Sequence, residues 1–113
     1  MKKQILTTVA AMFLILGVSA QSQPQVKTND GILEGVNESG INIFRGVPFA
    51  APPVGDLRWK APQPVQKWSG VRKADEFGPN PMQENIYGDM QFGTKKISED
   101  CLYLNVWTPA KTM

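Results

Sequence analysis

Cys101-Leu102-Tyr103-Leu104-Asn105-Val106-Trp107 decides the fold. Strict alternation places Leu102, Leu104 and Val106 on one face of a strand and Tyr103, Asn105 and Trp107 on the other. Both faces are mostly apolar, the pattern of a strand buried in the middle of a larger sheet. The chain stops six residues later, and no amphipathic helix is legible after residue 20. The expected architecture is therefore α/β but unfinished, with neither the neighbouring strands nor the covering helices such a strand requires.

Upstream, the pattern is that of short strands and turns. Val26-Lys27-Thr28 leads into Asn29-Asp30-Gly31, residues that tolerate positive φ. Ile32-Leu33-Glu34-Gly35-Val36 reads as the return strand, Asn37-Glu38-Ser39-Gly40 as a second turn, and Ile41-Asn42-Ile43-Phe44-Arg45 as a third alternating strand. A three-stranded antiparallel meander is the expectation. Asn37-Glu38-Ser39 also fits a glycosylation triplet, and the turn reading is preferred. Prolines at 48, 52, 53, 62 and 64 forbid a helix or central strand through residues 46–64. Phe49, Leu57 and Trp59 in that stretch predict an ordered loop held by aromatic burial. Trp68 and Trp107 are likewise expected in the core. Val71 starts a further short strand, and residues 82–98 form a long loop without periodicity.

Composition narrows the function. The 113 residues carry 12 basic and 10 acidic side chains, an excess supplied by Lys2 and Lys3 alone. The remaining basic residues are scattered, so nucleic acid is not an expected partner. A single cysteine excludes an intramolecular disulfide, and the absence of histidine removes the commonest general base and metal ligand. No metal-ligand spacing or phosphate-binding glycine loop occurs, and no cofactor is expected. Asp75-Glu76 and Glu99-Asp100 are adjacent carboxylates, which do not converge on one substrate as acid–base work requires.

Residues 1–20 have the form of an export leader. Lys2 and Lys3 precede an apolar stretch over residues 5–18, and Val18-Ser19-Ala20 offers small residues for cleavage after Ala20. The stretch is shorter than the ~20 residues that span a bilayer, so a stable membrane anchor is not expected. The expected location is secreted or periplasmic, with residues 21–113 as the mature part.

Phe44-Arg45-Gly46-Val47-Pro48-Phe49-Ala50-Ala51-Pro52-Pro53-Val54-Gly55-Asp56-Leu57-Arg58-Trp59 resembles the N-terminal signature region of the type-B carboxylesterases, which include the cholinesterases. Glu99-Asp100-Cys101-Leu102-Tyr103-Leu104-Asn105-Val106 is similar to a second motif of that family, and Trp68-Ser69-Gly70-Val71 and Phe77-Gly78-Pro79 fall in the family's order. The resemblance implies the N-terminal β-meander and first strands of an α/β-hydrolase sheet, incomplete in this chain. The implied enzyme is a serine hydrolase that cleaves small-molecule carboxylic esters through an acyl-enzyme. The family's serine elbow, histidine and glycine-rich oxyanion loop have no counterpart here, so no catalytic residue is assigned and enzyme activity of this chain by itself is left open.

The resemblance also implies structural roles. Arg58 matches an arginine that pairs with the glutamate matching Glu99, and a buried bidentate pair is expected. Cys101 matches a cysteine bonded to a Phe-Gly-Pro-x-Cys cysteine; that position is Pro81 here, so Cys101 is expected to be a free, buried, inert thiol. Met90 and Phe92 lie in the loop that lines the active-site gorge of cholinesterase-like relatives and are candidate substrate-loop residues. The alternative reading is a non-catalytic secreted β scaffold or interaction domain, or a truncated gene product.

Overall fold

The structure, a computed structural model, describes residues 22–84, 88, 93–94 and 96–109. The leader and the candidate loop residues Met90 and Phe92 lie outside the described residues. The described residues include six strands: β1 Gln25–Lys27, β2 Ile32–Glu34, β3 Val36–Glu38, β4 Ile41–Pro48, β5 Val71–Lys73 and β6 Tyr103–Thr108. They form two three-stranded sheets, β1-β2-β5 and β3-β4-β6.

The expected single meander is thus corrected. The return strand breaks at Gly35, so that β2 and β3 enter different sheets. Gly35 is buried, and its N–H donates to Pro24 O at 2.9 Å. A Cβ there would press into the Ile43 carbonyl and stand 2.8 Å from the Phe44 ring, so only glycine lets the chain cross so close to β4. The second turn is tighter than the sequence suggested. Asn37 and Glu38 belong to β3, and Ser39 (φ +52°) and Gly40 (φ +83°) alone form a two-residue hairpin loop with both φ positive, as a type I′ turn requires.

The core is small. Among the described residues Leu33, Ile43, Phe44, Ala50 and Ala74 are the buried apolar side chains. Leu33, Phe44 and Ala74 touch, with Val26, Val47 and Trp68 packed against them. Trp68 is held by its indole N–H, which donates to Ile32 O at 3.0 Å. The other two tryptophans are not in the core: Trp107 is half exposed, and Trp59 is 92% exposed. Phe49 is also half exposed, so hydrogen bonds and charge, rather than aromatic burial, hold the proline-rich loop.

β5 joins β2 in parallel, Ile32 facing Val71 and Glu34 facing Lys73. Ala74 then ties the sheets together. Its N–H donates to Glu34 O and its carbonyl accepts from Arg45 N–H, each at 2.7 Å.

β6 pairs antiparallel with β4 and is the outer strand of its sheet in the described structure, not the central strand its pattern predicts. Leu104, Val106 and Trp107 are exposed on it. An edge strand with apolar residues on both faces templates further pairing. The chain from residue 22 onward is therefore expected to self-associate as its concentration rises. Val106→Lys should shift the population toward monomer in light scattering, and unchanged association in that variant would place the sticky surface elsewhere.

Candidate functional site

Residues 51–63 form a closed loop beside the start of β6. Ala51 N–H donates to Gln63 O at 2.9 Å across its base. Inside it, Gly55–Leu57 makes one 3-10 turn, with Leu57 N–H on Val54 O and Arg58 N–H on Gly55 O. Gly55 has φ +53° and Trp59 φ +63°, and the second is costly for a bulky residue. That backbone turn carries the indole out of the core and under the Arg58 guanidinium, 5.6 Å from the ring centroid.

Arg58 Nε stands 2.8 Å from Glu99 Oε1, tying the loop to the segment that enters β6. The side chains are 57% and 40% exposed, so the pair is solvated rather than buried, and Nε is the contact instead of a bidentate fork. Phe49 N–H reinforces the junction by donating to Leu102 O at 3.1 Å. Between loop and strand lies an open, mostly apolar cavity of about 170 Å³, walled by Ala51, Pro53, Leu57, Pro62 and Leu102, with Lys60 among its lining residues.

The two carboxylates at 99 and 100 serve different partners. Glu99 faces Arg58, whereas Asp100 Oδ2 accepts from the Tyr103 hydroxyl at 3.0 Å. Burial, and then the hydrogen bond to Asp100, raises the Tyr103 pKa above its ordinary value. Ser98 Oγ accepts from Asp100 N–H at 3.1 Å and so shapes the turn before β6. Cys101 is a free thiol, half-buried rather than fully enclosed. No group of three or more potential metal ligands occurs among the described residues. The sequence has no histidine, and among the described residues the arrangement offers a tethered loop and an apolar cavity.

Sequence reasoning passed over Arg45, whose signal is only its place in an alternating strand. Its guanidinium donates to Glu38 Oε1 at 2.9 Å and lies 5.5 Å from the Phe77 ring centroid. Phe77 in turn tilts against Trp107. It also passed over the cross-strand contact of Glu34 with Lys73, which only the parallel β2–β5 pairing creates.

Two measurements check these charges. Exposed ion pairs couple by about 0.2–1 kcal/mol, so a double-mutant cycle on Arg58→Ala and Glu99→Ala should return a coupling in that range by urea unfolding. A coupling of several kcal/mol would mean that the pair is buried in solution. Hydrogen bonds from Lys73 and then Gln25 lower the Glu34 pKa below its usual 4.5, while the hydrogen bond to Glu34 raises Lys73 above 10.5. The Glu34 contribution is complete above pH 4.5 and is lost as pH falls through the lowered value. The Lys73 contribution is complete below pH 10.5 and is lost as pH rises through the raised value. Carboxyl NMR titration should place the Glu34 midpoint below 4.5, and a midpoint at or above it would break the assigned contact.

Residues 22–113 match the Carboxylesterase family. The chain is similar to a medium-chain fatty acyl-CoA hydrolase precursor of Anas platyrhynchos, 43% identical over 93% of this chain and 23% of that protein. It is similar to the phenmedipham hydrolase of Pseudarthrobacter oxydans, 46% identical over 78% of this chain and 19% of the relative. Among solved structures, a carboxylesterase of Geobacillus stearothermophilus superposes with a TM-score of 0.64 at 38% identity, over 78% of this chain and 17% of that one. The chain thus spans about a fifth of the length of the relatives it matches. These esterases have α/β-hydrolase folds, and the two small sheets described above are part of that architecture. With the family match running from residue 22 to residue 113, the chain belongs to the carboxylesterase family.

Proposed function

We propose that this chain supplies the N-terminal β scaffold of an exported carboxylesterase acting on small-molecule carboxylic esters. The observation that carries this reading is the antiparallel β4–β6 pairing. It pairs strands from two separate sequence motifs, residues 44–59 and 99–106, and the segments flanking those strands meet where Arg58 stands 2.8 Å from Glu99. In this reading the chain holds the opening strands in place, and the chemistry is supplied by groups outside these 113 residues. A serine attacks the ester carbonyl, a histidine takes its proton, and backbone N–H groups stabilise the oxyanion until water releases the acyl group. The sequence holds no histidine, so the base in particular must come from elsewhere.

Export rests on the form of residues 1–20: two lysines, an apolar stretch and small residues before Ala20. Among the described residues no helix is long and apolar enough to cross a membrane.

A graft tests the scaffold role. Residues 22–109 replace the matching segment of the Geobacillus carboxylesterase, and p-nitrophenyl butyrate hydrolysis is measured. The chimera should keep a kcat and KM of the same order as its parent, whereas the 113-residue chain alone should be inactive. A folded but inactive chimera would favour a non-catalytic scaffold, and hydrolysis by the chain alone would overturn the division of labour. Leader cleavage is read separately by N-terminal sequencing of exported protein, which should begin at Gln21.

A further inference from the structure

The β4–β6 ladder contains one irregularity. Phe44 pairs with Val106 and Val47 with Leu104, so Arg45 and Gly46 together face a single residue, Asn105. The bulge is fixed on β4. Gly46 has φ +67°, and a Cβ there would stand 2.5 Å from the Glu76 carbonyl oxygen, so glycine alone fits. What remains open is which residue of β6 faces it.

Burial does not decide. Val106 and Trp107 point to opposite faces, both are exposed, and both oppose buried residues of β4, Phe44 and Ile43 respectively. A slip by one residue would exchange the faces of β6 and still set one of the two buried residues against an apolar side chain, Phe44 against Trp107 in one direction or Ile43 against Val106 in the other, so burial specifies the register only weakly. The polar contact does distinguish the registers. Asn105 Oδ1 accepts the Gly46 N–H at 2.9 Å. In either one-residue slip the bulge would face Leu104 or Val106, whose side chains hold no acceptor.

We infer that Asn105 specifies the register of β6 on β4 by pinning the Gly46 amide. Resting on the function proposed above, this makes Asn105 a positioning residue. A one-residue slip would carry everything joined to Thr108 by about 3.3 Å along the strand and turn Trp107 to the other face. Misplacement by about 1 Å is already costly to a catalytic group.

The test traps the register in the full 113-residue chain carrying Cys101→Ser. Paired substitutions Asn42→Cys and Thr108→Cys report the observed register, in which these residues are opposite. Asn42→Cys with Trp107→Cys reports a slip in one direction, and Asn42→Cys with Pro109→Cys a slip in the other. After oxidation, mass spectrometry should find only the 42–108 crosslink when Asn105 is present. Asn105→Asp keeps an acceptor and should preserve that exclusivity. Asn105→Leu, close in shape but without an acceptor, should yield a slipped crosslink beside the 42–108 one. Exclusive 42–108 crosslinking in the Leu variant would overturn the inference, as would a slipped crosslink in the chain that retains Asn105. The readout needs no catalysis, so an inactive chimera with an intact crosslink pattern would remove the esterase reading and leave the register pin standing.

Discussion

The two hydrogen bonds of Ala74 are the constraint on which the rest of the structure depends. A sheet ladder satisfies the backbone groups between its own strands, and a residue that gives its polar groups to two sheets at once fixes how they meet. Ala74 does so, giving its N–H to Glu34 in one sheet and taking the Arg45 N–H of the other with its carbonyl. It is 1% exposed and in contact with Leu33 and Phe44, so only a methyl-sized side chain suits the junction. Gly35 makes the complementary accommodation, letting the chain pass from β2 to β3 against the Phe44 ring. The hydrophobic cluster sits at this joint: Leu33 comes from β2 and Phe44 from β4, and both touch Ala74.

The charges work at the periphery of that joint. Glu34–Lys73 spans β2 and β5, Glu38–Arg45 spans β3 and β4, and Arg58–Glu99 spans the proline-rich loop and the approach to β6. Each ties segments that the backbone alone places loosely, and each has an exposed partner, so the gain lies in orientation more than in stability. Arg45 carries more than its ion pair. Its backbone N–H holds Ala74, and its guanidinium lies over Phe77, while its Nε is buried without a hydrogen-bond partner among the described residues. A buried donor left in that state is tolerated only where the surrounding contacts over-determine the side chain.

What could be read in the sequence follows from the range of the forces involved. The alternation of Ile41 to Arg45 and of Leu102 to Trp107 is local, and it gives most of β6 and the first part of β4. The middle strand of its sheet, β4 runs on through Gly46 to Pro48, where the prolines argue against a central strand. The break at Gly35 is invisible to alternation, because a glycine inside a strand pattern marks either a weak point or a close approach, and only the position of Phe44 decides which. The parallel β2–β5 pairing joins residues nearly forty positions apart and has no local signal. Trp59 reads as a core residue by type, yet its positive φ turns it toward Arg58 and solvent. The contact of Arg58 with Glu99 lies beyond any pattern in the residues themselves and was legible only through the family resemblance. Asn105 did carry a signal: it is the one amide in an apolar strand, and a buried-type strand keeps such a residue for a partner.

Specification and stabilisation are therefore separated in this chain. Register, sheet junction and loop closure are set by backbone and polar contacts at Ala74, Asn105, Gly46 and Ala51, which act without a large core. Burial, the main source of stability in folded proteins, is confined to a few side chains, while Phe49, Trp59, Leu104, Val106 and Trp107 remain at the surface. At about 25 cal/mol per Å² of apolar area, covering those side chains would add several times what any exposed ion pair here supplies. In the scaffold role proposed above, the polar contacts fix where the strands stand, and burial of this apolar surface is the stabilising term still to be added.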